Sequence, residues 1–344
     1  MAVQIGLGLF TGQVPPGSGR PFAEEYRGVL ELVREAEVLG FDSVWVSEHH
    51  GAGDGYLPSL LAMLAAFAAV TGRVRLGTGV ILAPLHAPLR LAEDAAVVDN
   101  LSAGRLVLGL GRGWREEEFR MFGVPPGHRL SRTIEPVEIL RRAFTGQRFS
   151  FEGKVFRYED VLVTPPPARP GGPPIYLGGF EERTIRRAGA IGDGYIRSRS
   201  GLQDSLQALR WAEEGAREAG KDPEALGFTL LQNAFAWDEG DAWEPVRAGV
   251  EHQIATYAGW REASDTPGHG FENPPVDEQM LKHLTIHGTP DEVLHGLRPI
   301  VDAFAGRPEF TLIVRLQYPG MDDDTARRAV ELFGTEVLPA LKGA

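Results

Sequence analysis

The chain has 344 residues, 43% hydrophobic and 24% charged, with a formal net charge of −12. So acidic a chain repels nucleic acid and anionic membrane, and neither is expected as a partner. It contains no cysteine, which excludes disulfides, thiolate metal sites and cysteine nucleophiles and suits a cytoplasmic protein. The first residues lack the basic region and cleavage site of a signal peptide. The longest uncharged apolar stretch, 57–70, is shorter than the ~20 residues of a membrane span.

Short β-like runs alternate with amphipathic ones. Residues 3–10 read as a buried strand. Over 22–39, Phe22, Tyr26, Val29, Leu30, Val33 and Ala36 recur at helical spacing, with Gly40 as C-cap. Strand 41–46, an apolar helix at 58–70, strand 74–82, helix 88–101 and strand 105–110 follow. Helical segments 114–121 and 132–144 lead into a predicted hairpin at 149–158 around Glu152 and Gly153. T-P-P-P-A-R-P-G-G-P-P (164–174) reads as a rigid connector. Regularity resumes with strand 175–179, helix 181–191, strand 194–198, helix 203–219, strand 228–235 and helix 243–258. Residues 259–275 show no period and many breakers, so a mobile loop is expected there. Thr289 as N-cap and Pro290 at the first helical position open another helix. Strand 310–316 and helix 322–341 come last.

Eight strands alternating with helices favour a (β/α)8 TIM barrel over a doubly wound open sheet. The expectation is one domain, 1–344, with an excursion at about 146–174 after strand four and a mobile loop after strand seven. A barrel places its active site at the C-terminal ends of the strands. V-S-E-H-H (46–50) ends strand two. Two adjacent histidines are usually ordinary polar loop, but this position favours a site, where a histidine serves as base or hydrogen-bonds an oxyanion. Neighbours on a strand point opposite ways, so only one histidine need face the pocket. No metal is expected: the other strand ends offer Gly111, Arg112, Gly178, Gly179, Ser198 and Gln317, which are poor ligands.

Three glycine-bearing runs also lie at strand ends. In G-L-G-R-G-W (109–114), Arg112 is a candidate fixed cation for a phosphate. In Y-L-G-G-F-E-E-R-T (176–184), Gly178 and Gly179 permit close approach, and the N–H groups of 180–184 with the Thr184 hydroxyl form an anion site at a helix N-terminus. Glu181 and Glu182 oppose a phosphate there, and Arg183 offsets them. In G-T-G-V-I-L-A-P (77–84), the glycines mark either a closely approaching ligand or packing inside the barrel.

Together, F-D-S-V-W-V-S-E-H-H, G-T-G-V-I-L-A-P-L-H-A-P-L-R-L-A-E-D, L-S-A-G-R-L-V-L-G-L-G-R-G-W-R-E-E-E-F-R-M-F-G and P-P-I-Y-L-G-G resemble the luciferase-like, flavin-dependent monooxygenases of the bacterial luciferase superfamily. The resemblance implies reduced FMN at the barrel mouth, supplied by a separate flavin reductase. It implies oxygenation of a small organic substrate with O2 through a C4a-peroxide. It suggests His49 as the active-site histidine and a non-prolyl cis peptide at Gly79–Val80 beneath the flavin ring. Gly111, Arg112, Gly178, Gly179, Phe180, Glu181 and Thr184 would hold the rest of the cofactor. Phe10, Glu48, His50, Trp114, Ser198 and Gln317 are the candidate substrate pocket, with Phe180 and Trp260 adding apolar wall. Residues 259–275 fall at the family's mobile lid, and 57–70 where members form homodimers. Two departures stand out. Gly111 replaces the reactive cysteine of bacterial luciferase, and Phe180-Glu181 replaces Glu-Ser in its phosphate loop. Relatives that use deazaflavin F420 more often carry an aspartate–histidine pair after strand two. E-H-H therefore leans toward FMN, with F420-dependent hydride transfer and a non-catalytic flavin-binding protein as alternatives.

Overall fold

The computed structural model describes residues 3–198, 201–262 and 277–343. Eight parallel strands close on themselves. Strand β1 (Gln4–Phe10) pairs with β2 (Ser43–Val46) on one side and with the last barrel strand, Phe310–Arg315, on the other. Between them run β3 (Arg75–Thr78), β4 (Leu106–Gly111), β5 (Ile175–Gly178), β6 (Gly194–Arg197) and β7 (Gly227–Ala236), and β7 pairs with Phe310–Arg315, here β8, to complete the ring. The expected (β/α)8 barrel is thus what the chain forms. Helices α1 (Phe22–Leu39), α2 (Leu60–Val70), α3 (Pro88–Leu101), α4 (Glu116–Met121), α5 (Ser131–Ala143), α6 (Glu182–Ile191), α7 (Leu202–Glu218) and α8 (Glu244–Glu262) occupy the connections through β7.

Local chemistry sets the boundaries. Gly40 ends α1 in the left-handed conformation, φ 92°, where a side chain would be strained. Thr289 closes a capping box with Glu292 at the start of helix Pro290–Ala303. The hairpin forms as Phe149–Glu152 against Arg157–Val161.

Two layers of apolar side chains hold the barrel. The outer layer lies between strands and helices and includes Phe10, Val44, Leu64 and Phe67. The inner layer takes one residue from each strand or its end: Leu9, Trp45, Val80, Val107, Tyr176, Ile196, Leu231 and Ile313. Trp45 and Tyr176 are large for so narrow a space, and glycines make room for them. A Cβ at Gly77 would enter the Trp45 ring, and one at Gly194 or Gly227 would enter Tyr176. Gly77 therefore serves packing, whereas Gly79 and Val80 stay partly exposed at the mouth.

The structure departs from the sequence reading in three places. The expected strand 74–82 breaks after Thr78, passes through a cis Gly79–Val80 bond, and resumes as Ile81–Leu82. A short strand, Ile286–Gly288, pairs with the end of β7. Helix α8 runs on through Trp260 to Glu262, so the first four residues of the expected loop 259–275 are helical. The stacking of Trp260 on the Arg115 guanidinium, 4.0 Å from ring centre, fixes that last turn. Residues 263–275 lie outside the described residues. No helix among the described residues is long and apolar enough to cross a membrane.

Thr78 ties β3 to β4: its hydroxyl donates to the Gly109 carbonyl at 2.9 Å and accepts the Gly109 N–H at 2.8 Å. A Cβ at Gly109 would collide with the Thr78 carbonyl oxygen, which is backbone and cannot step aside. Gly109→Ala is expected to cost about 1–3 kcal/mol or more in denaturant unfolding. Gly53→Ala, whose Cβ would meet nothing within 4 Å, should change stability by less than about 0.5 kcal/mol.

Candidate active site

The buried carboxylate of Glu118 organises the mouth. It sits on α4, just past the end of β4, and is wholly buried. One oxygen, Oε1, lies 2.9 Å from His49 Nδ1, accepts the His50 backbone N–H at 2.9 Å, and accepts from the Arg115 guanidinium at 3.3 Å. Since two of these partners can only donate, the oxygen is an acceptor and His49 carries its proton on Nδ1. His49 Nε2 is left for the pocket as an acceptor. Arg115 also donates to the His50 carbonyl at 2.7 Å and to Glu117 at 2.8 Å, tying the loops after β2 and β4 together.

Aromatic rings wall His49, which is 5% exposed. Trp260 and Tyr257 of α8 lie 4.7 and 5.4 Å from its ring, Tyr56 at 4.8 Å and Trp114 at 6.2 Å. The Tyr56 hydroxyl donates to Ser47 Oγ at 3.1 Å and lies 3.0 Å from the Tyr257 hydroxyl. Burial pushes both phenols up, Tyr257 well above its ordinary value, against the pull of Arg315. His49 is thus surrounded by aromatic rings and lies beside two linked phenol hydroxyls.

Glu48 and His50, expected in the substrate pocket, are engaged elsewhere. Glu48 Oε1 lies 2.7 Å from His50 Nε2 and 3.0 Å from His86 Nε2, and the His50 ring packs on Phe122. Burial raises the Glu48 carboxyl, but bonds from His50 and His86 outweigh it and hold it below the ordinary range. Burial lowers His86, and Glu48 more than reverses this. The three donor atoms lie within 4.8 Å of one another, close enough for a metal, yet both imidazoles already meet the carboxylate. Phe10 is core, edge-on to Phe67 at 6.0 Å. Gln317 turns to α1, donating to Glu25 at 3.2 Å. The alternation of a strand explains Glu48, His50 and Phe10, each next to an inward-facing residue and pointing the other way, whereas Gln317 lies past the end of β8 and is drawn aside by its bond to Glu25. Trp114 is where it was expected, and Ser198 is exposed at the end of β6.

The expected cofactor residues come together. Val80 lies across β4 and β5, where a Cβ at Gly111 would strike it and one at Gly178 would touch it at 3.4 Å. The glycines thereby leave a shallow bed with Val80 as its floor. Beside it, Thr184 packs against Gly179, whose carbonyl accepts from the Tyr195 hydroxyl at 2.6 Å. Glu181 is the N-cap of α6 by its backbone, its side chain making no capping bond, and Glu182 pairs with Arg186 at 2.7 Å. Phe180 is 43% exposed.

Arg112 has cationic company that the sequence reading missed. Burial and the charge of Arg112 depress Arg129, and burial with Arg183 and Arg112 depresses Arg187. None of these four arginines forms an ion pair among the described residues, and Arg129 Nε is buried without a partner. Arg112 thus repels Arg129 and Arg187, Arg183 repels Arg187, and Glu116 offsets Arg129 in part; a group of cations with Arg183 and Arg187 on α6 could hold an anion.

The family model described as luciferase-like monooxygenase matches residues 4–306. The chain belongs to that family. This luciferase-like chain is 26% identical over 352 residues to 4-hydroxyprotoasukamycin monooxygenase of Streptomyces nodosus subsp. asukaensis, covering 99% of this chain and 93% of that one. It is 30% identical over 332 residues to the F420-dependent glucose-6-phosphate dehydrogenase of Kineococcus radiotolerans, covering 91% and 93%. The crystal structure of monooxygenase RslO1 from Streptomyces bottropensis superposes with a TM-score of 0.85 at 26% identity, over 98% of this chain and 99% of that one. The chain is therefore a luciferase-like oxidoreductase, and both oxygenating and F420-dependent relatives stand at similar distance.

Glu118→Gln should cost roughly 3–5 kcal/mol, because it leaves Arg115 without its buried counter-charge. Glu117→Gln, on the exposed arm of Arg115, should cost less than about 1 kcal/mol. Nitrogen NMR of labelled histidine should show His49 leaving its Nδ1–H form only in the first variant.

Proposed function

We propose that this protein is a two-component monooxygenase that takes reduced FMN from a separate flavin reductase and uses O2 to oxygenate a small organic substrate. The observation that carries the reading is the His49–Glu118 pair walled by Tyr56, Trp114, Tyr257 and Trp260. Oxygen transfer from a flavin competes with loss of peroxide to water, so a dry pocket with one positioned base suits it. When bound, reduced flavin supplies two electrons and activates dioxygen.

The chain's own residues supply the rest. Arg112, Arg129 and Arg187, with Thr184 and the first N–H groups of α6, would hold the phosphate. Gly79, Val80, Gly111 and Gly178 would carry the flat ring, and Gly179, Phe180 and Glu181 would border the phosphate loop. His49 Nε2 would accept or return a proton at the reacting oxygen, with Glu118 steadying the cation that forms. The last turn of α8 would exclude water through Tyr257 and Trp260. The outer face of α2, with Leu61, Ala62, Ala65 and Ala69 and no charge, suits a homodimer. We place the protein in the cytoplasm, as one domain.

A second reading, F420-dependent hydride transfer, has one observation in its favour. Four arginines without an ion pair among the described residues, one of them the exposed Arg183, exceed what a single phosphate needs and suit a cofactor with further anionic groups.

Arg112→Ala should weaken reduced FMN roughly ten- to hundredfold in an anaerobic titration. His49→Ala should keep the affinity and lose coupled product. Unchanged product yield in His49→Ala would remove its role. Tight F420 binding with no FMN binding would move the protein to the second reading. Long-lived bound FMN with no oxygen-dependent product would make it a flavin-binding protein.

A further inference from the structure

The barrel carries a second cation at its mouth that no phosphate site uses. Arg315 ends β8, two residues after Ile313, which belongs to the inner layer. Alternation along a strand therefore aims Arg315 into the barrel, one layer above Ile313 and toward the mouth. It is 2% exposed. No carboxylate pairs with it among the described residues, and its Nε has no hydrogen-bond partner. Among the described residues, Glu118 is engaged with His49, His50 and Arg115, and Asp54 with Gln13 and His252 at 2.7 and 2.8 Å. A buried guanidinium without a counter-charge is costly, and a protein keeps one where a ligand supplies the charge.

The neighbours of Arg315 describe that ligand. Asn233, its register partner on β7, is two residues beyond the inner-layer Leu231 and so also faces inward. Among the described residues its side-chain amide makes no hydrogen bond to the protein. Tyr318 donates to the Arg315 carbonyl at 3.2 Å and to the Ala234 carbonyl at 3.3 Å, holding the two strand ends together. The linked hydroxyls of Tyr56 and Tyr257 feel the Arg315 charge and lie beside His49. The walls are flat rings.

We infer that Arg315 and Asn233, with the Tyr56 and Tyr257 hydroxyls, bind an anionic oxygen on a planar conjugated substrate, a phenolate, enolate or carboxylate, and orient its ring beneath Trp114 and Trp260 toward His49. This rests on the reading of the mouth as the oxygenation site and narrows its substrate class. A guanidinium holds such an oxygen ionised; where it is a phenolate or enolate, the conjugated carbon frame is electron-rich and open to an electrophilic oxygen donor.

The test uses the full-length protein without flavin, so it reads independently of whether FMN binds. Benzoate and neutral benzamide are titrated while tryptophan emission is followed, because Trp114 and Trp260 border the pocket. Benzoate should bind at least roughly tenfold tighter, the discrimination expected of a charge-assisted bond. Arg315→Gln should abolish that preference and leave benzamide unchanged, and Arg315→Lys should retain part of it. If Arg315→Gln does not fold, 4-nitrophenol with the unaltered protein decides: it should be bound as the yellow phenolate at a pH where the free compound is mostly neutral. Equal binding of benzoate and benzamide, or 4-nitrophenol bound in its neutral form, overturns the inference. So does an Arg315→Gln protein that keeps the benzoate preference but loses reduced FMN, since Arg315 would then serve the flavin.

Discussion

Everything at the mouth depends on one buried oxygen. Glu118 Oε1 takes His49 Nδ1, the His50 N–H and the Arg115 guanidinium together. By doing so it fixes the histidine tautomer, joins the loops after β2 and β4, and presents Arg115 as a flat cation on which Trp260 rests. The last turn of α8 is thus held over the pocket by an interaction that begins at a carboxylate on α4. A buried charge is tolerated only with its partners in place, so His49 and its cover are assembled by one constraint.

Charge is distributed against the average of the molecule. The chain carries a net −12, yet the described residues hold at least five arginines without a salt bridge at the mouth: Arg112, Arg129, Arg183, Arg187 and Arg315. Arg112, Arg129, Arg183 and Arg187 influence one another, and Arg315, at the end of β8, acts on the Tyr56 and Tyr257 hydroxyls. Cationic recesses in a chain of net negative charge are local features that the average charge does not show. Size follows the same economy. Trp45 and Tyr176 fill the barrel floor because Gly77, Gly194 and Gly227 yield to them, and a flat bed opens above where Gly111 and Gly178 yield to Val80.

The fold was legible because period and punctuation agreed: eight apolar runs, helical spacing between them, and caps at Gly40 and Thr289 that the structure reproduces. The position of His49, Arg112 and Trp114 just past strand ends was legible because strand ends in a barrel are the mouth. Glu48, His50 and Phe10 turn away from His49 because strand-end position does not say which face a side chain takes, and Gln317, past the end of β8, turns to Glu25. Glu118 and Arg115 were hidden in R-E-E-E, where three equal acids give no sign of which one is buried. Arg315 did leave a sign: a lone charge at the end of the apolar strand F-T-L-I-V-R, in step with Ile313. Trp260 was expected to form part of the pocket, but α8 was ended too early because Gly259 reads as a breaker, and its compensation by a cation–π contact is tertiary.

The central claim is that His49 works in a pocket closed to water by aromatic rings. The most direct measurement mixes the anaerobic complex with reduced FMN against oxygenated buffer in a stopped-flow instrument and follows the appearance of oxidised flavin. Oxidation through a lag, at least roughly tenfold slower than for free reduced flavin and shortened in Trp260→Ala, is the result the account predicts. Oxidation as fast as the free flavin, unaffected by Trp260→Ala, would contradict it.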